Sequence, residues 1–233
     1  MSEIALVTGA NKGIGKQVAR RLAAEGMIVY LGSRDRARGE AAAREVGAKA
    51  LVLDVTDEQT VSEAAKRVED EAGRLDVLVN NAGIAIEWGT APADVTVDQL
   101  RRTYEVNVFG VVAVTLAFLP LLRRSAKPRI VNVSSPLGSL TLLSDPDSMI
   151  AQHALLGYSS SKSALNSLTL LYANALRPEG IAVNAVSPGY VATDLNGHRG
   201  VLTVEQGAQA PVRLALDKGG VSGTFSEEGV LPW

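Results

Sequence analysis

The chain has 233 residues, a formal net charge of −2, no cysteine and two histidines, His153 and His198. This length suits one large α/β domain with a well-buried core and is short for two domains. The weak net charge argues against a nucleic-acid-binding surface, and the lack of cysteine excludes disulfides, a thiol nucleophile and thiolate metal sites. Two histidines without cysteine also make a zinc site improbable, so we expect no metal.

Short apolar runs alternate with helical patterns along the whole chain. The runs predicted as strands are Ile4–Thr8, Ile28–Gly32, Ala50–Leu53, Val77–Asn80, Arg129–Ser134, Ala182–Val186 and Gly223–Phe225. The segments predicted as helices are Gly13–Glu25, Arg36–Val46, Glu58–Ala72, Asp98–Leu122, Tyr158–Leu176 and Val204–Leu216. Most of the strands are continuously apolar, which is typical of a sheet covered on both faces. The order therefore predicts a single doubly wound Rossmann-type α/β domain over residues 1–233, with a seven-stranded, mostly parallel sheet.

Three segments need separate interpretation. Val106–Leu122 approaches the length of a membrane span, but Gly110 and Pro120 interrupt it, and we predict a buried helix rather than a membrane segment. Pro136–Gly157 shows no clear element, yet its many leucines argue against disorder and favour a packed insertion beside a pocket. Met1–Glu3 lead directly into the first strand without a basic signal-peptide region, so we expect a cytoplasmic protein.

A glycine-rich segment follows the first strand and opens the first helix. Glycine lets the backbone turn tightly, and the unpaired N–H groups of a helix start bind phosphate. A nucleoside-triphosphate loop would need glycine at Ala10 and a hydroxyl at Gln17, and it has neither. We therefore predict a dinucleotide-binding loop. Its expected contacts are Gly9, Asn11, Lys12, Gly13, Ile14 and Gly15.

The end of the second strand bears on which dinucleotide binds. A carboxylate there would bind the adenosine ribose and repel a 2′-phosphate, but the chain has Ser33 followed by Arg34. Arg34 can bind a phosphate bidentately, and Lys12 can approach the same ribose. Asp35 is expected to cap the next helix instead. These residues predict NADP(H).

Further motifs occur in a fixed order at the ends of the predicted strands. They are Leu53-Asp54-Val55-Thr56, Asn80-Asn81-Ala82-Gly83, Asn107-Val108-Phe109-Gly110, Ile130–Ser135, Tyr158–Lys162 and Ser187–Thr193. Together with Thr8–Gly15 they resemble the short-chain dehydrogenase/reductase family over residues 3 to 225. The glycine loop with Ser33–Asp35 is similar to the carbonyl-reductase branch, which uses NADPH. The insertion is intermediate in length for that branch, so monomer and homo-oligomer both stay open.

The resemblance implies four catalytic residues. Tyr158 would protonate a carbonyl oxygen, and Lys162, on the same helix face, would lower the tyrosine pKa from roughly 10 by up to about 3 units. Ser134 and Ser135 point to opposite strand faces, and the family favours Ser135 as the residue that holds the substrate oxygen. Asn107 would hold a water that connects the lysine to solvent.

The same resemblance implies the remaining cofactor contacts. Adenine would meet Asp54 and Val55, and Tyr158 and Lys162 would also contact the cofactor. The adenosine ribose would lie near the strand end formed by Asn81, Ala82 and Gly83. The nicotinamide would lie near Pro188, Gly189, Val191 and Thr193.

The substrate pocket is expected between segments about 136–157 and 190–202, with Ser135, Leu137, Trp88 and Tyr190 as contacts. Their apolar character favours a neutral ketone or aldehyde. The leading hypothesis is NADPH-dependent carbonyl reduction. An NAD-dependent alcohol dehydrogenase would need an acid at Ser33, and a sugar-nucleotide epimerase would need a sizeable C-terminal substrate domain. A dinucleotide-sensing regulator that does not turn over substrate is the non-enzyme alternative.

Overall fold

The computed structural model describes residues 2–233, and its centre is a seven-stranded sheet. The strands are β1 (Ile4–Val7), β2 (Ile28–Ser33), β3 (Lys49–Val52), β4 (Val77–Asn80), β5 (Arg129–Val133), β6 (Ala182–Val186) and β7 (Phe225–Ser226). Their order across the sheet is β3-β2-β1-β4-β5-β6-β7, and every pairing between neighbours is parallel. The predicted doubly wound fold is thus confirmed, with a sheet that is wholly rather than mostly parallel.

The helices cover both faces of this sheet. They are α1 (Gly13–Ala24), α2 (Arg36–Val46), α3 (Glu58–Ala72), α4 (Val97–Tyr104), α5 (Gly110–Leu122), α6 (Leu140–Leu143), α7 (Met149–Gln152), α8 (Leu156–Leu176), α9 (Val204–Gly207) and α10 (Gln209–Leu216). One buried cluster joins the sheet to α1, α2 and α10, and a second joins its other face to α3, α5 and α8. Adjacent residues of β1 point to opposite faces of the sheet. Leu6 packs in the cluster with α3, α5 and α8, and Val7 packs in the cluster with α1, α2 and α10.

The long apolar helix is a core element with a local irregularity. Between α4 and α5 the backbone forms one π-helical turn over Glu105–Phe109, so the predicted continuous helix is interrupted. By length and composition Val97–Leu122 could cross a membrane, but half of its most apolar window is buried inside the protein. Val114 and Phe118 are fully buried beneath the sheet. The burial of this side of the helix supports the prediction of a core helix rather than a membrane segment.

The insertion 136–157 consists of short helical turns rather than irregular chain. A 3-10 turn over Pro136–Gly138 follows Ser135, then come α6 and α7. Ser139 and Ser148 cap these two helices through their side chains. The backbone N–H of Thr141 donates to the carbonyl of Trp233, which ties the insertion to the end of the chain. The segment is therefore packed, as its leucines indicated.

The strand order reverses between β1 and β4, and loops from both sides of the sheet open there. In doubly wound folds a ligand binds at the carboxyl ends of the strands at this point. The residues that follow β1, β2, β4, β5 and β6 all reach this edge, so their distant sequence positions meet in one cleft.

Candidate active site

A cleft of about 620 Å³ lies at this edge and brings together nearly all the predicted site residues. From the predicted cofactor set it contains Gly9, Asn11, Lys12, Gly13, Ile14, Gly15, Ser33, Arg34, Asp54, Val55, Asn81, Ala82, Gly83, Tyr158, Lys162, Pro188, Gly189, Val191 and Thr193. Ser135, Leu137, Trp88 and Tyr190 line it as well. Asn107 is fully buried behind the wall and is not a lining residue.

The glycines of the first loop serve two different purposes. Gly9 and Gly13 both have positive φ angles, a conformation that side chains disfavour. A Cβ atom on Gly9 would lie 2.9 Å from Ala82 Cα, and one on Gly15 would lie 2.3 Å from Asn81 Nδ2. Gly9 and Gly15 thus allow close packing against the end of β4. A Cβ on Gly13 would meet only Thr193 Cγ2, at 3.7 Å.

The start of α1 presents free backbone donors to the cleft. Lys12 occupies the N-cap position, but its side chain makes no capping bond, so the first turn has no side-chain acceptor. Unpaired N–H groups of this kind attract phosphate oxygens. The loop is held from below, where Asn81 Nδ2 donates to the carbonyls of Thr8 and Gly9 at 2.9 and 3.2 Å. The Asn81 side chain therefore stabilises the conformation of the glycine-rich loop.

Two basic side chains near the end of β2, Arg34 and Lys12, differ in whether they are free to bind a phosphate. Arg34 is exposed, lines the cleft and makes no hydrogen bond or ion pair within residues 2–233. Asp35 caps α2 by accepting from the Arg38 N–H at 3.0 Å, which is the role the sequence predicted. Lys12 Nζ lies 2.6 Å from Asp194 Oδ2, so this lysine is already paired. That ion pair holds the pKa of the Asp194 carboxyl below its usual range.

The three residues expected to handle the carbonyl lie together at the floor of the cleft. The Ser135 side chain lies beside the Tyr158 hydroxyl and acts to lower its pKa, while Ser135 Oγ accepts from the Leu137 N–H at 3.2 Å. Lys162 Nζ donates to the carbonyl of Val133 at 2.8 Å and lies 5.6 Å from the centre of the Tyr158 ring. The Ser134 hydroxyl is engaged elsewhere on α8, where it donates to Asn166 Oδ1 at 2.6 Å. Of the two serines, Ser135 alone faces Tyr158.

The pKa values of this pair differ from the expectation. Burial raises the pKa of Tyr158 to about 12, although the neighbouring Ser135 side chain works in the opposite direction. Burial likewise lowers the pKa of Lys162 to about 8. The sequence predicted that the ammonium would lower the tyrosine pKa, and this is wrong, because burial raises it. Loss of hydration disfavours the charged form of each group, the phenolate of Tyr158 and the ammonium of Lys162.

Asn107 lies in the π-helical turn, where its amide is bonded to protein groups. Its Oδ1 accepts from the Ile84 N–H at 2.9 Å. Its Nδ2 donates to the Ile84 carbonyl and to Ser161 Oγ at 2.9 and 3.0 Å. A Cβ on Gly83 would lie 3.4 Å from Asn107 Oδ1 and 3.6 Å from Lys162 Nζ, so both groups flank Gly83. Asn107 thus ties the end of β4 to α8, and its predicted water-holding role stays a prediction.

Trp88 and the segment after β6 line the substrate end of the cleft as expected, but the insertion contributes little. Of the insertion 136–157, only Leu137 lines the cleft. The segment Ile84–Trp88 supplies more of the wall, and Trp88 Nε1 donates to the Leu195 carbonyl at 2.7 Å across the opening. The Arg199 guanidinium lies 5.1 Å from the centre of the Trp88 ring. The apolar residues that follow Gly83 in the sequence could have predicted this wall.

The loop after β6 is ordered by its own contacts. Val191 and Leu202 form an isolated parallel bridge, and Asn196 Nδ2 donates to the Val191 carbonyl at 2.9 Å. Tyr190 is half exposed at the mouth of the cleft. His198 lies 2.8 Å from Asp194 and lines the cleft, whereas the exposed His153 bonds the Met149 carbonyl outside it. Among residues 2–233 no cluster of candidate metal ligands occurs.

This combination of sheet and cleft residues defines an oxidoreductase that binds a nicotinamide dinucleotide and acts on CH–OH or C=O groups. A family model described as short chain dehydrogenase matches residues 3–200, and the chain belongs to the short-chain dehydrogenase/reductase family. Its resemblance to the carbonyl-reductase branch is supported by the relatives described next.

Curated and solved relatives span almost the whole chain. (+)-Neomenthol dehydrogenase of Arabidopsis thaliana is 37% identical, over 91% of this chain and 90% of that protein. Salutaridine reductase of Papaver somniferum is 33% identical, over 95% and 93%. The structure of NADPH-bound carbonyl reductase from chicken fatty liver matches with a TM-score of 0.87 and 29% identity, over 100% of this chain and 99% of that one.

Proposed function

We propose that the protein uses NADPH to reduce a neutral, partly apolar ketone or aldehyde to the alcohol. The observation that carries the proposal is the placement of Ser135 and buried Lys162 beside Tyr158 in one open cleft. Relatives named as a carbonyl reductase and as salutaridine reductase support the same type of reaction. A cytoplasmic location stays a prediction.

The residues present fit a nicotinamide dinucleotide. The uncapped start of α1 offers N–H donors to a pyrophosphate, and Gly13 leaves the cleft open beside Thr193. Arg34, at the end of β2, is free to bind a 2′-phosphate bidentately, whereas a carboxylate would repel it. The NADPH-bound neighbour supports this choice of dinucleotide. When bound, the cofactor supplies the hydride that reaches the carbonyl carbon.

The protein residues handle the oxygen and its proton. Ser135 and Tyr158 donate hydrogen bonds to the substrate oxygen and stabilise the negative charge that develops on it. The Tyr158 phenol then transfers its proton to that oxygen. With a pKa raised to about 12, the phenol is protonated at neutral pH, which is the form a proton donor needs. The Lys162 ammonium lies close enough to stabilise the resulting phenolate.

The substrate end of the cleft favours apolar ligands. Ile84, Ile86, Trp88 and Leu137 supply its walls, and they provide no cluster of cations for a phosphorylated or acidic substrate. We therefore infer a neutral carbonyl compound with a sizeable apolar body.

The test is NADPH oxidation by the purified protein with a panel of neutral ketones and aldehydes, and with Tyr158→Phe as the control. We expect turnover with at least one apolar carbonyl, and a loss of roughly 100- to 10,000-fold in Tyr158→Phe with NADPH binding retained. Unchanged turnover in that variant would refute the role of Tyr158. Tight NADPH binding without turnover of any panel member would favour the regulator instead.

A further inference from the structure

Glu87 is a fully buried carboxylate that the proposed chemistry does not use. It lies between the end of β4 and α4, inside an otherwise apolar run from Ile84 to Trp88. Its Oε1 accepts a hydrogen bond of 2.6 Å from the backbone N–H of Tyr158. Its Oε2 has no hydrogen-bond partner within residues 2–233. A carboxylate buried at this cost needs a physical reason.

The reason lies at the start of α8, the helix that carries Tyr158 and Lys162. Leu155 occupies the N-cap position and offers no side-chain acceptor to the first turn. The N–H of Tyr158 is one of the donors that an α-helix leaves unpaired at its start. Glu87 supplies the missing acceptor from a different segment, and its negative charge also faces the positive end of the helix dipole.

The packing around this contact leaves little freedom. A Cβ atom on Gly157 would lie 3.2 Å from both carboxylate oxygens of Glu87, so the carboxylate fits directly over the glycine backbone. Glu87 is itself anchored, because its carbonyl accepts from the Thr90 N–H at 3.0 Å. The neighbouring Trp88 is bonded to the Leu195 carbonyl at 2.7 Å. The contact therefore joins α8 to a segment that is fixed at several points.

We propose that Glu87 is a positioning residue that holds the first turn of α8, and with it the Tyr158 hydroxyl, in register with Ser135. This inference rests on the proposed carbonyl reduction. Tyr158 receives the bond on its own backbone nitrogen, so a shift of the first turn would displace its side chain directly. Lys162 lies one turn further along the helix and is bonded to Val133. Losing Glu87 would therefore disturb Tyr158 more than Lys162.

The experiment compares Glu87→Ala, Glu87→Gln and Thr96→Ala. Glutamine keeps an acceptor oxygen of nearly the same shape, whereas alanine removes it. Thr96 is the matched control, because it is exposed and caps α4 on the same segment without contacting α8 through its side chain. We measure kcat, KM for NADPH, and hydrogen exchange of the Tyr158 amide in each protein.

We expect kcat of Glu87→Ala to fall by roughly 10- to 100-fold, the effect of misplacing a reacting group, with KM for NADPH within about twofold. Glu87→Gln should recover kcat to within about fivefold of the wild type, since a neutral hydrogen bond is weaker than a charge-assisted one. Exchange of the Tyr158 amide should accelerate in Glu87→Ala alone. Thr96→Ala should leave kcat within about twofold, because within the described chain the Thr96 side chain bonds only to Gln99 in the first turn of α4.

Equal losses of kcat in Glu87→Ala and Glu87→Gln, or a kcat near the wild-type value in Glu87→Ala, would overturn the proposal. If Glu87→Ala does not fold, Gly157→Ala replaces it, since its methyl group pushes against the carboxylate, and an unchanged kcat there would overturn the proposal equally. If the wild type reduces no carbonyl, the proposed function fails. The exchange rate of the Tyr158 amide then still decides whether Glu87 holds the helix.

Discussion

Gly138 packs directly against Lys162. A Cβ atom on Gly138 would lie 2.7 Å from both Lys162 Cβ and the Lys162 carbonyl carbon. The Gly138 carbonyl also accepts from Asn166 Nδ2 at 3.1 Å, one turn further along α8. Because Gly138 closes the turn that begins after Ser135, this contact sets the distance between Ser135 and the helix that carries Tyr158.

Gly138→Ala should therefore disturb both stability and chemistry. The added methyl group has no space beside Lys162, and overpacking of this kind costs about 1 to 3 kcal/mol. We expect the free energy of unfolding, measured in urea, to fall by that amount and kcat to fall with it. Gly229→Ala is the control, since nothing lies within 4 Å of the new methyl group. Equal stability of the two variants would contradict the packing argument.

Lys162 gives the folded protein a specific dependence on pH. Burial lowers its pKa from 10.5 to about 8, so between these values the folded chain has lost a proton that the unfolded chain keeps. Because the unfolded state then binds more protons, the free energy of unfolding rises with pH, by at most about 3 kcal/mol. Tyr158, with its pKa raised to about 12, opposes this rise only above pH 10, where the unfolded phenol ionises.

The measurement is urea unfolding of the wild type and of Lys162→Met between pH 7.5 and pH 10. We expect the wild type to gain stability relative to Lys162→Met across this range, because methionine removes the buried ammonium and its titration. Other titrating groups are common to both proteins and cancel in the difference. Parallel stability profiles would show that Lys162 is not held at a lowered pKa.

The sequence was sufficient for those parts of the fold that depend on local patterns. Continuous apolar runs such as Val77–Asn80 predicted the strands to within a residue or two, because burial on both faces leaves no other pattern. The break in the helix at Glu105–Phe109 was missed. The π turn carries Asn107 to Ile84, and this tertiary contact has no counterpart in helical periodicity.

The same limit applies to the candidate site. Motif spacing placed Ser135, Tyr158 and Lys162 in one cleft, since parallel strands end at the same edge. It did not predict that burial would move the pKa of Tyr158 upwards, because desolvation depends on everything packed around the group. Nor did it single out Glu87, whose partner is a backbone N–H in a distant segment.

The Lys12–Asp194 ion pair leads to a prediction about cofactor affinity. Lys12 Nζ lies 2.6 Å from Asp194 Oδ2, and both side chains are more than half exposed. An exposed pair contributes little to stability, so Asp194→Asn should change the free energy of unfolding by less than about 1 kcal/mol. It should nevertheless strengthen NADPH binding, because it frees a cation in the cleft and removes a carboxylate that repels phosphate.

The affinity is measured by titration of NADPH fluorescence at low salt, where screening of exposed charges is weakest. We expect Asp194→Asn to bind NADPH up to about fivefold more tightly, and Lys12→Ala to bind it more weakly than the wild type. Weaker binding by Asp194→Asn would mean that the ion pair across the cleft is itself needed for the bound state.

Arg34 provides the sharpest test of cofactor preference. It lines the cleft at the end of β2 and has no hydrogen bond or ion pair elsewhere in the described chain, so its guanidinium is available for a 2′-phosphate. Arg34→Ala should weaken NADPH binding by roughly 10- to 100-fold, the effect of losing one to two charge-assisted hydrogen bonds. NADH lacks this phosphate and should bind within about threefold of its wild-type affinity. Arg36→Ala makes the same charge change in the same turn, but Arg36 does not line this cleft. Dissociation constants of both dinucleotides for both variants separate a specific contact from a general loss of positive charge, and equal weakening of NADPH and NADH by Arg34→Ala would refute the assignment.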